Sequence, residues 1–237
     1  MKKRFAAFVS TVLAAVLCAC SAAPKDVLPN KAAQPTEAPT QQAQTTQAAP
    51  TEQPTPEPDL VQQLLEEMTL EQKVGQLFLV RPDSLDLSQT QDQINDAKAD
   101  GVTELTDAMR QTLAEYPVGG VVIFGKNLES PQQITQFLDD LQQASDTLLF
   151  TAVDEEGGLV ARLANNAAFD LPQYESAAAV GTSGNPEDAR AMGRTIGGYL
   201  KEYGFNLDFA PVADVNTNPD NPVIGTRAFS SEPQTAA

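Results

Sequence analysis

The stretch LLFTAVDEEGGLVARL, residues 148 to 163, contains an apolar run that ends in three carboxylates, two glycines and an arginine. The run from Leu148 to Val153 has the length and composition of a buried strand. Val118 to Phe124 is another apolar run of this kind, bracketed by glycines, and residues 204 to 216 have strand character. The three segments predict β-strands, the first two of them buried.

The polar end of the opening stretch carries Asp154, Glu155 and Glu156. Alternation along an extended chain places the first and third of these carboxylates on one side and Glu155 on the other. The two glycines that follow allow a ligand or another loop to approach the backbone. From spacing alone, the segment is either a ligand-holding loop or a charged turn that ends the strand.

Helical patterns separate the predicted strands. A helix is predicted from Thr103 to Tyr116, a second begins at Ser130-Pro131 with serine as its N-cap, and a third spans Pro186 to Tyr203. Strands that alternate with helices predict βαβ units and a parallel sheet. Apolar strands that end in polar, glycine-containing loops are typical of the active edge of an α/β barrel or open sheet.

Helices are also predicted at both ends of this region. The first helix has apolar residues at helical spacing, namely Leu60, Leu64, Leu65 and Met68. Thr69 and Gln72 stand at capping-box distance ahead of a second short helix, and Val74 to Val80 either completes that helix or begins a strand. At the other end, Ser231 is the predicted N-cap of a last helix.

The first 57 residues differ in character from the rest. Residues 1 to 20 begin with three basic side chains and continue with an apolar segment too short to span a bilayer comfortably, which predicts an export signal. The small residues before Cys20 resemble a bacterial lipobox, in which the cysteine is lipidated; the alternative is an ordinary signal peptide. Residues 21 to 57, rich in Pro, Thr, Gln and Ala, predict a disordered tether. The globular part is expected at residues 58 to 237.

The formal net charge is −17, from 32 acidic and 15 basic residues. Such a chain has no basic patch for nucleic acid, and it is not expected to bind anionic lipid electrostatically. Membrane attachment is therefore expected only through the lipid on Cys20. The predicted location is the outer face of a bacterial cell membrane.

A second group of polar residues lies between Asp208 and Pro233. Asp208 and Asp214 flank an apolar segment, and a cluster of Asn and Asp side chains precedes Arg227. Turn formation explains such a cluster, because these side chains cap and bend their own backbone. A calcium loop is rejected, since the regular acidic alternation and terminal Glu of an EF-hand are missing. We predict no metal site.

Four ordered motifs carry a family resemblance: MTLEQKVGQLFLV, VGGVVIF, AVDEEGGLVARL and FNLDFAPVADVNTNPDNPVIGTRAFSSEP. They resemble the N-terminal half of the glycoside hydrolase family 3 catalytic domain, and within it the β-N-acetylhexosaminidase branch. The resemblance implies an α/β fold of the TIM-type (β/α)8 class. Such a barrel typically needs about 250 residues, so residues 58 to 237 are expected to be its truncated N-terminal half.

The resemblance implies substrate-binding roles for three residues. Asp154 is expected to accept hydrogen bonds from sugar hydroxyls, and Arg162 and Arg227 match the family's substrate-binding arginines. For each arginine the alternative is a salt bridge to nearby carboxylates. Glu155 stands where the family usually has Gln, and its charge is expected to raise the pKa of neighbouring carboxyl groups. No cofactor is implied.

The implied reaction is retaining hydrolysis of terminal β-linked N-acetylhexosamine, such as N-acetylglucosamine, in cell-wall fragments or other glycans. This branch uses an Asp nucleophile and a His acid/base, but the sequence contains no histidine. Both catalytic residues are therefore expected beyond residue 237, and the chain alone is expected to be inactive. The alternatives are a family 3 β-glucosidase and a non-catalytic sugar-binding lipoprotein.

Overall fold

The computed structural model describes residues 59 to 236. The predicted export signal, the lipidation site at Cys20 and the predicted tether lie outside these residues. Within the described part, the strands are β1 (Leu79–Val80), β2 (Gly120–Ile123), β3 (Phe150–Val153), β4 (Glu155–Gly157), β5 (Val160–Ala161) and β6 (Leu207–Asp208).

The α-helices of the described part are α1 (Leu60–Glu67), α2 (Leu70–Gly75), α3 (Gln91–Asn95), α4 (Asp107–Glu115), α5 (Pro131–Ala144), α6 (Ala177–Gly181), α7 (Pro186–Glu202) and α8 (Pro233–Ala236). Short 3-10 helices span Pro82–Leu85, Gly125–Asn127 and Gly225–Arg227.

Four of the described strands form one sheet in the order β1-β2-β3-β6. Each neighbouring pair is parallel, with Val121 opposite Thr151 in one pair and Ala152 opposite Leu207 in another. The strands are joined through helices and stay in sequence order, as successive strands of a (β/α)8 barrel do, whereas a doubly wound sheet reverses its order at a switch point. The prediction of an α/β fold of the barrel type is confirmed.

The strands are shorter than the apolar segments that predicted them. β3 begins only at Phe150, which is 49% exposed, and the preceding Leu148 is 83% exposed, so the prediction that the whole segment is buried was wrong. Both side chains lie at the entry to the strand, while the middle of the strand is buried. Of the segment from 204 to 216, only Leu207–Asp208 is strand.

The helix predictions are confirmed, with changes at two boundaries. α4 begins after Thr106, whose hydroxyl accepts a hydrogen bond from Met109 N–H, so the helix starts later than Thr103. The segment from Val74 to Val80 contains both proposed features, the end of α2 and the strand β1. Ser231 was the wrong cap, because α8 begins at Pro233 and its first backbone hydrogen bonds are accepted by the Glu232 carbonyl.

The core lies between the sheet and a layer of helices. The inner face of α5 has four buried apolar residues, as its spacing predicted: Ile134, Phe137, Leu138 and Leu141. α7 contributes Met192, Ile196, Tyr199 and Leu200. Each buried side chain of this size stabilises the fold by roughly 2 kcal/mol. These contacts hold the strands so that their carboxyl ends meet at one edge.

The apolar residues of α1 are not part of this core. Leu60 is 68% exposed, Leu64 60% and Leu65 45%, although their helical spacing is as predicted. None of the helices between residues 59 and 236 is both long and apolar enough to cross a membrane.

A buried ion pair joins the segments that follow β1 and β2. Asp83 is completely buried, and its Oδ1 lies 3.2 Å from Lys126 Nζ, whose side chain is only 6% exposed. Asn127 donates to Asp83 Oδ2 at 3.0 Å, and Val102 N–H donates to Oδ1 at 3.2 Å. Sequence spacing did not predict this pair, since its two members are 43 positions apart in the numbering.

We expect Lys126→Met to lower the free energy of unfolding by about 3 kcal/mol, because it leaves the Asp83 carboxylate buried without its cation. Chemical denaturation at neutral pH measures the change. Lys98→Met is the matched control, since Lys98 is exposed and surface substitutions usually shift stability by less than about 0.5 kcal/mol. Equal losses in the two variants would contradict the buried-pair interpretation.

Candidate functional site

The candidate site lies where the chain leaves the carboxyl end of β3. Asp154 follows this strand directly, and the β4–β5 hairpin then returns the chain to Arg162. The hairpin turns through Gly157 and Gly158, which have φ angles of 82° and 66°. A side chain at either position would also collide with its neighbours, Met192 and the Glu175 carbonyl respectively. The glycines are therefore required by the turn and by the close packing around it. Sequence alone could not distinguish this role from that of leaving space for a ligand.

Asp154 and Arg162 form a half-buried ion pair. Arg162 Nη2 donates to Asp154 Oδ2 at 2.8 Å, and the side chains are 33% and 26% exposed respectively. Arg162 Nε is buried and has no hydrogen-bond partner among the described residues. The salt bridge that sequence analysis kept as an alternative is thus present, and it leaves the buried Nε–H of the guanidinium unused.

The aromatic ring of Phe124, the residue that follows β2, packs against this arginine. The guanidinium carbon of Arg162 lies 5.6 Å from the ring centroid, and that of Arg81 lies 4.4 Å from it. Arg81 also donates to the Ile94 carbonyl at 2.7 Å. Cation–π contact of this kind favours a fixed guanidinium position.

Glu156 and Arg227 form a second ion pair, between residues 71 positions apart. Arg227 donates from Nη2 to Glu156 Oε1 at 2.6 Å and from Nε to Oε2 at 2.8 Å, a two-pronged contact. This hydrogen bonding raises the pKa of Arg227 above its usual value, and the charges of Glu156, Asp154 and Asp214 add to the rise. The pair ties the 3-10 helix at Gly225–Arg227 to the hairpin.

Glu155 has hydrogen-bond partners different from those of Asp154 and Glu156. Simple alternation does not describe the segment, because the hairpin register is shifted between Glu155 and Gly157, and Glu155 and Glu156 line one cavity. Glu155 is completely buried, and its oxygens accept from Leu163 N–H at 2.8 Å, Ala164 N–H at 2.9 Å and the Tyr199 hydroxyl at 2.8 Å. Sequence analysis left this residue without a role. The signal that was overlooked is Tyr199 on the apolar face of α7, because a buried phenol requires a polar partner.

Asp208 lies at the end of β6 and accepts a hydrogen bond from Glu155 N–H at 3.0 Å. Burial raises the pKa of Asp208 to about 6, and that hydrogen bond opposes the rise. The charges of Glu155, Asp154 and Glu156 raise it further. The expected effect of Glu155 on a neighbouring carboxyl group is therefore present at Asp208, where burial is the larger cause.

A cavity of about 810 Å³ adjoins these carboxylates. Glu155, Glu156 and Asp208 are its acidic lining residues, and Met192 and Ile196 are among its apolar ones. The three predicted substrate-binding residues do not line it. The cavity and the Asp154–Arg162 pair are therefore different features of the same region.

The Asn/Asp cluster before Arg227 forms turns, as predicted. Asn218 Oδ1 accepts from Asp220 N–H at 3.1 Å, and Asn221 Oδ1 accepts from Val223 N–H at 2.8 Å. Between residues 59 and 236, no group of three or more His, Cys, Asp and Glu side chains is placed to hold a metal ion.

Comparison with known proteins gives a family match over most of the chain. The family model described as the glycosyl hydrolase family 3 N-terminal domain matches residues 69 to 237. The β-hexosaminidase A of Pseudoalteromonas piscicida is 35% identical over 137 residues, which are 56% of this chain and 23% of that protein. The β-hexosaminidase of Thiobacillus denitrificans is 34% identical over 136 residues, which are 56% of this chain and 37% of that one.

Two solved structures share the fold. A glycoside hydrolase family 3 β-N-acetylglucosaminidase from Paenibacillus sp. has a TM-score of 0.58 and 32% identity, covering 71% of this chain and 29% of that chain. A β-N-acetylhexosaminidase from Beutenbergia cavernae has a TM-score of 0.56 and 26% identity, covering 72% and 48% respectively. The chain spans less than half the length of each of these four relatives.

We expect Asp208→Asn to flatten the dependence of stability on pH between about 4 and 6. Because the folded-state pKa of Asp208 is about 6 and the ordinary pKa of an aspartate side chain is 3.8, the folded protein binds the extra proton in this window. The contribution of Asp208 to stability therefore falls as pH rises from about 4 to 6. Asparagine retains an oxygen that accepts from Glu155 N–H.

Denaturation midpoints at several pH values measure this change. Asp170→Asn is the matched control, since Asp170 is exposed, and it should leave the slope unaltered. An unchanged slope in Asp208→Asn would show that Asp208 does not titrate in this window.

Proposed function

Because this chain belongs to glycosyl hydrolase family 3, we propose that it serves retaining hydrolysis of terminal β-linked N-acetylhexosamine, above all N-acetylglucosamine. The proposed substrates are cell-wall fragments or other glycans. The observation that carries the proposal is the Asp154–Arg162 pair at the carboxyl end of β3, the edge at which parallel α/β barrels bind their substrates.

The pair has the unused hydrogen-bonding capacity that a sugar requires. Asp154 Oδ2 holds Arg162, while Oδ1 makes no hydrogen bond to any residue of the described part. Arg162 likewise commits only one of its five guanidinium N–H donors to a described residue. One sugar hydroxyl can donate to the carboxylate while a neighbouring hydroxyl accepts from the guanidinium, so the two groups together recognise adjacent hydroxyls.

We propose that Arg227 contributes to the same substrate from the opposite segment. Two of its N–H groups are committed to Glu156, and Nη1 donates to the Val223 carbonyl at 3.3 Å. A guanidinium carries five N–H donors, so two remain for substrate oxygens. No residue of this chain is assigned as nucleophile or acid/base, and the proposal for these residues is confined to substrate binding.

The two alternatives differ in how well the comparisons support them. A family 3 β-glucosidase shares the family, but the relatives described above are named as β-hexosaminidases or β-N-acetylglucosaminidases. A non-catalytic sugar-binding lipoprotein needs the same hydroxyl-binding groups but no nucleophile or acid/base. Affinity for N-acetylglucosamine compared with glucose separates the first alternative from our proposal. Turnover of an aryl N-acetyl-β-glucosaminide by the full-length protein separates the second.

We further propose that the protein is exported and anchored by a lipid on Cys20 at the outer face of the bacterial membrane. The support is the basic start, the short apolar segment and the small residues before this cysteine. The test expresses the full chain in a bacterium and follows its partition into detergent. Cys20→Ser should move the protein from the detergent phase to the aqueous phase, and partition unaffected by the change argues against the anchor.

We expect Asp154→Asn to weaken binding of N-acetylglucosamine by about tenfold or more, since a hydrogen bond to a charged group is worth about 1.5–3 kcal/mol. Titration calorimetry or ligand-observed NMR on the 237-residue chain measures the dissociation constant. Asp170→Asn, an exposed carboxylate changed in the same way, should bind as the unmodified protein does. Equal affinity in the Asp154 and Asp170 variants would remove Asp154 from the sugar site.

A further inference from the structure

Glu155 is a buried carboxylate whose function the proposed sugar site does not by itself explain. It is 0% exposed, although it is among the residues that line the 810 Å³ cavity. No salt bridge between residues 59 and 236 includes it. Its charge is stabilised instead by the three hydrogen bonds from Leu163 N–H, Ala164 N–H and the Tyr199 hydroxyl. Burial of a charge without a cation is unfavourable, so these bonds are required for the conformation to persist.

The two backbone donors directly follow Arg162 in the chain. Arg162 N–H donates to the Asp154 carbonyl at 3.3 Å, and the next two N–H groups donate to the Glu155 carboxylate. The backbone of Arg162 is therefore held against residues 154 and 155 on both sides of its Cα. These hydrogen bonds fix the position of the Arg162 Cα, from which the side chain extends. The 2.8 Å contact of its guanidinium with Asp154 depends on that position.

The third donor comes from a different element. Tyr199 lies on α7, is 7% exposed, and donates to the same Oε1 atom that accepts from Ala164 N–H. Burial raises the pKa of Tyr199, and the charge of Glu155 raises it further, so the phenol remains a hydrogen-bond donor at neutral pH. Through one carboxylate, α7 is connected to the segment that carries Arg162.

We propose that Glu155 and Tyr199 are positioning residues that fix Arg162 beside Asp154, so that the placement of α7 determines the geometry of the polar pair. The consequence for ligand affinity rests on the proposed sugar site, whereas the positioning of Arg162 stands on the contacts alone. Neither residue is proposed to contact the substrate.

A carboxylate suits this arrangement better than an amide does. Three donors converge on two oxygens, and both oxygens accept. In Glu155→Gln one oxygen is replaced by an NH2 group, which faces either Leu163 N–H or Ala164 N–H and accepts from neither. The hydroxyl of Tyr199 can rotate to accept, but a backbone N–H cannot. One backbone donor is therefore left buried and unpaired in this isosteric variant.

The first measurement is amide hydrogen exchange on the full chain at neutral pH. Glu155→Gln should speed exchange at Leu163 or Ala164 by about tenfold or more, and Tyr199→Phe should speed it by about threefold. The Arg162 Nε–H resonance, assigned through its loss in Arg162→Lys, should shift in both variants. A purely global loss of stability would speed exchange across all core amides and leave this resonance in place while the protein is folded.

Two matched controls isolate the effect. Glu175→Gln removes the charge of an exposed carboxylate, and Tyr203→Phe removes a hydroxyl that makes no hydrogen bond to the described residues, one turn further along the chain from Tyr199. Both should leave the exchange at residues 163 and 164 and the Arg162 resonance as in the unmodified chain. If Glu155→Gln does not fold, Tyr199→Phe decides, since it removes one oxygen atom only.

The second measurement is a double-mutant cycle on N-acetylglucosamine affinity with Glu155→Gln and Arg162→Lys. A residue that acts through Arg162 weakens binding in the unmodified background by about fivefold or more and has little further effect once Arg162 is replaced. Additive losses, or unchanged affinity in Glu155→Gln, overturn the positioning role.

The two measurements test the proposed function and the positioning role separately. If the unmodified chain binds no sugar, the proposed function is wrong, and hydrogen exchange with the Arg162 resonance still decides whether Glu155 positions the arginine. If exchange and resonance are unchanged in Glu155→Gln and Tyr199→Phe, the inference is wrong whatever the sugar affinity.

Discussion

The site depends on one buried carboxylate that has no cation. Glu155 is enclosed at the carboxyl end of the sheet, and its charge persists because donors from two separate segments converge on it. Moving either segment leaves that charge with fewer donors in a low-dielectric interior, which is costly. The hairpin, the segment after Arg162 and helix α7 are thereby constrained to one arrangement. Asp208 adds a fourth segment by holding the Glu155 N–H from β6.

The two carboxylates beside Glu155 each meet an arginine. Asp154 pairs with Arg162, and the buried Glu156 pairs with Arg227. Arg162 comes from the end of the hairpin, while Arg227 comes from a segment 71 positions beyond its partner. Local chain geometry thus creates the first pair, and the tertiary fold creates the second.

This division explains how much could be predicted from sequence. Periodicity and caps predicted the order of strands and helices, because these properties depend on near neighbours in the chain. Period-two alternation did not predict the register shift between Glu155 and Gly157, nor that Glu155 and Glu156 line one cavity. Motif resemblance then indicated Asp154, Arg162 and Arg227. The donors to Glu155, the partner of Arg227 and the buried Asp83–Lys126 pair were not predictable, since each joins residues that only the folded chain brings together. Strand lengths were overestimated because apolar composition does not show where the neighbouring elements stop covering a strand.

The balance of charge indicates which ligands the region disfavours. Asp154, Glu155, Glu156 and Asp208 cluster around only two arginines, and each of those arginines already faces a carboxylate. A phosphate or carboxylate ligand entering here meets net negative charge, and the guanidinium groups are already committed to ion pairs. Neutral hydroxyls meet no such repulsion, and they can use the lone pairs and N–H groups that the ion pairs leave free. The electrostatics therefore favour an uncharged polyhydroxyl ligand over an anionic one, independently of any family resemblance.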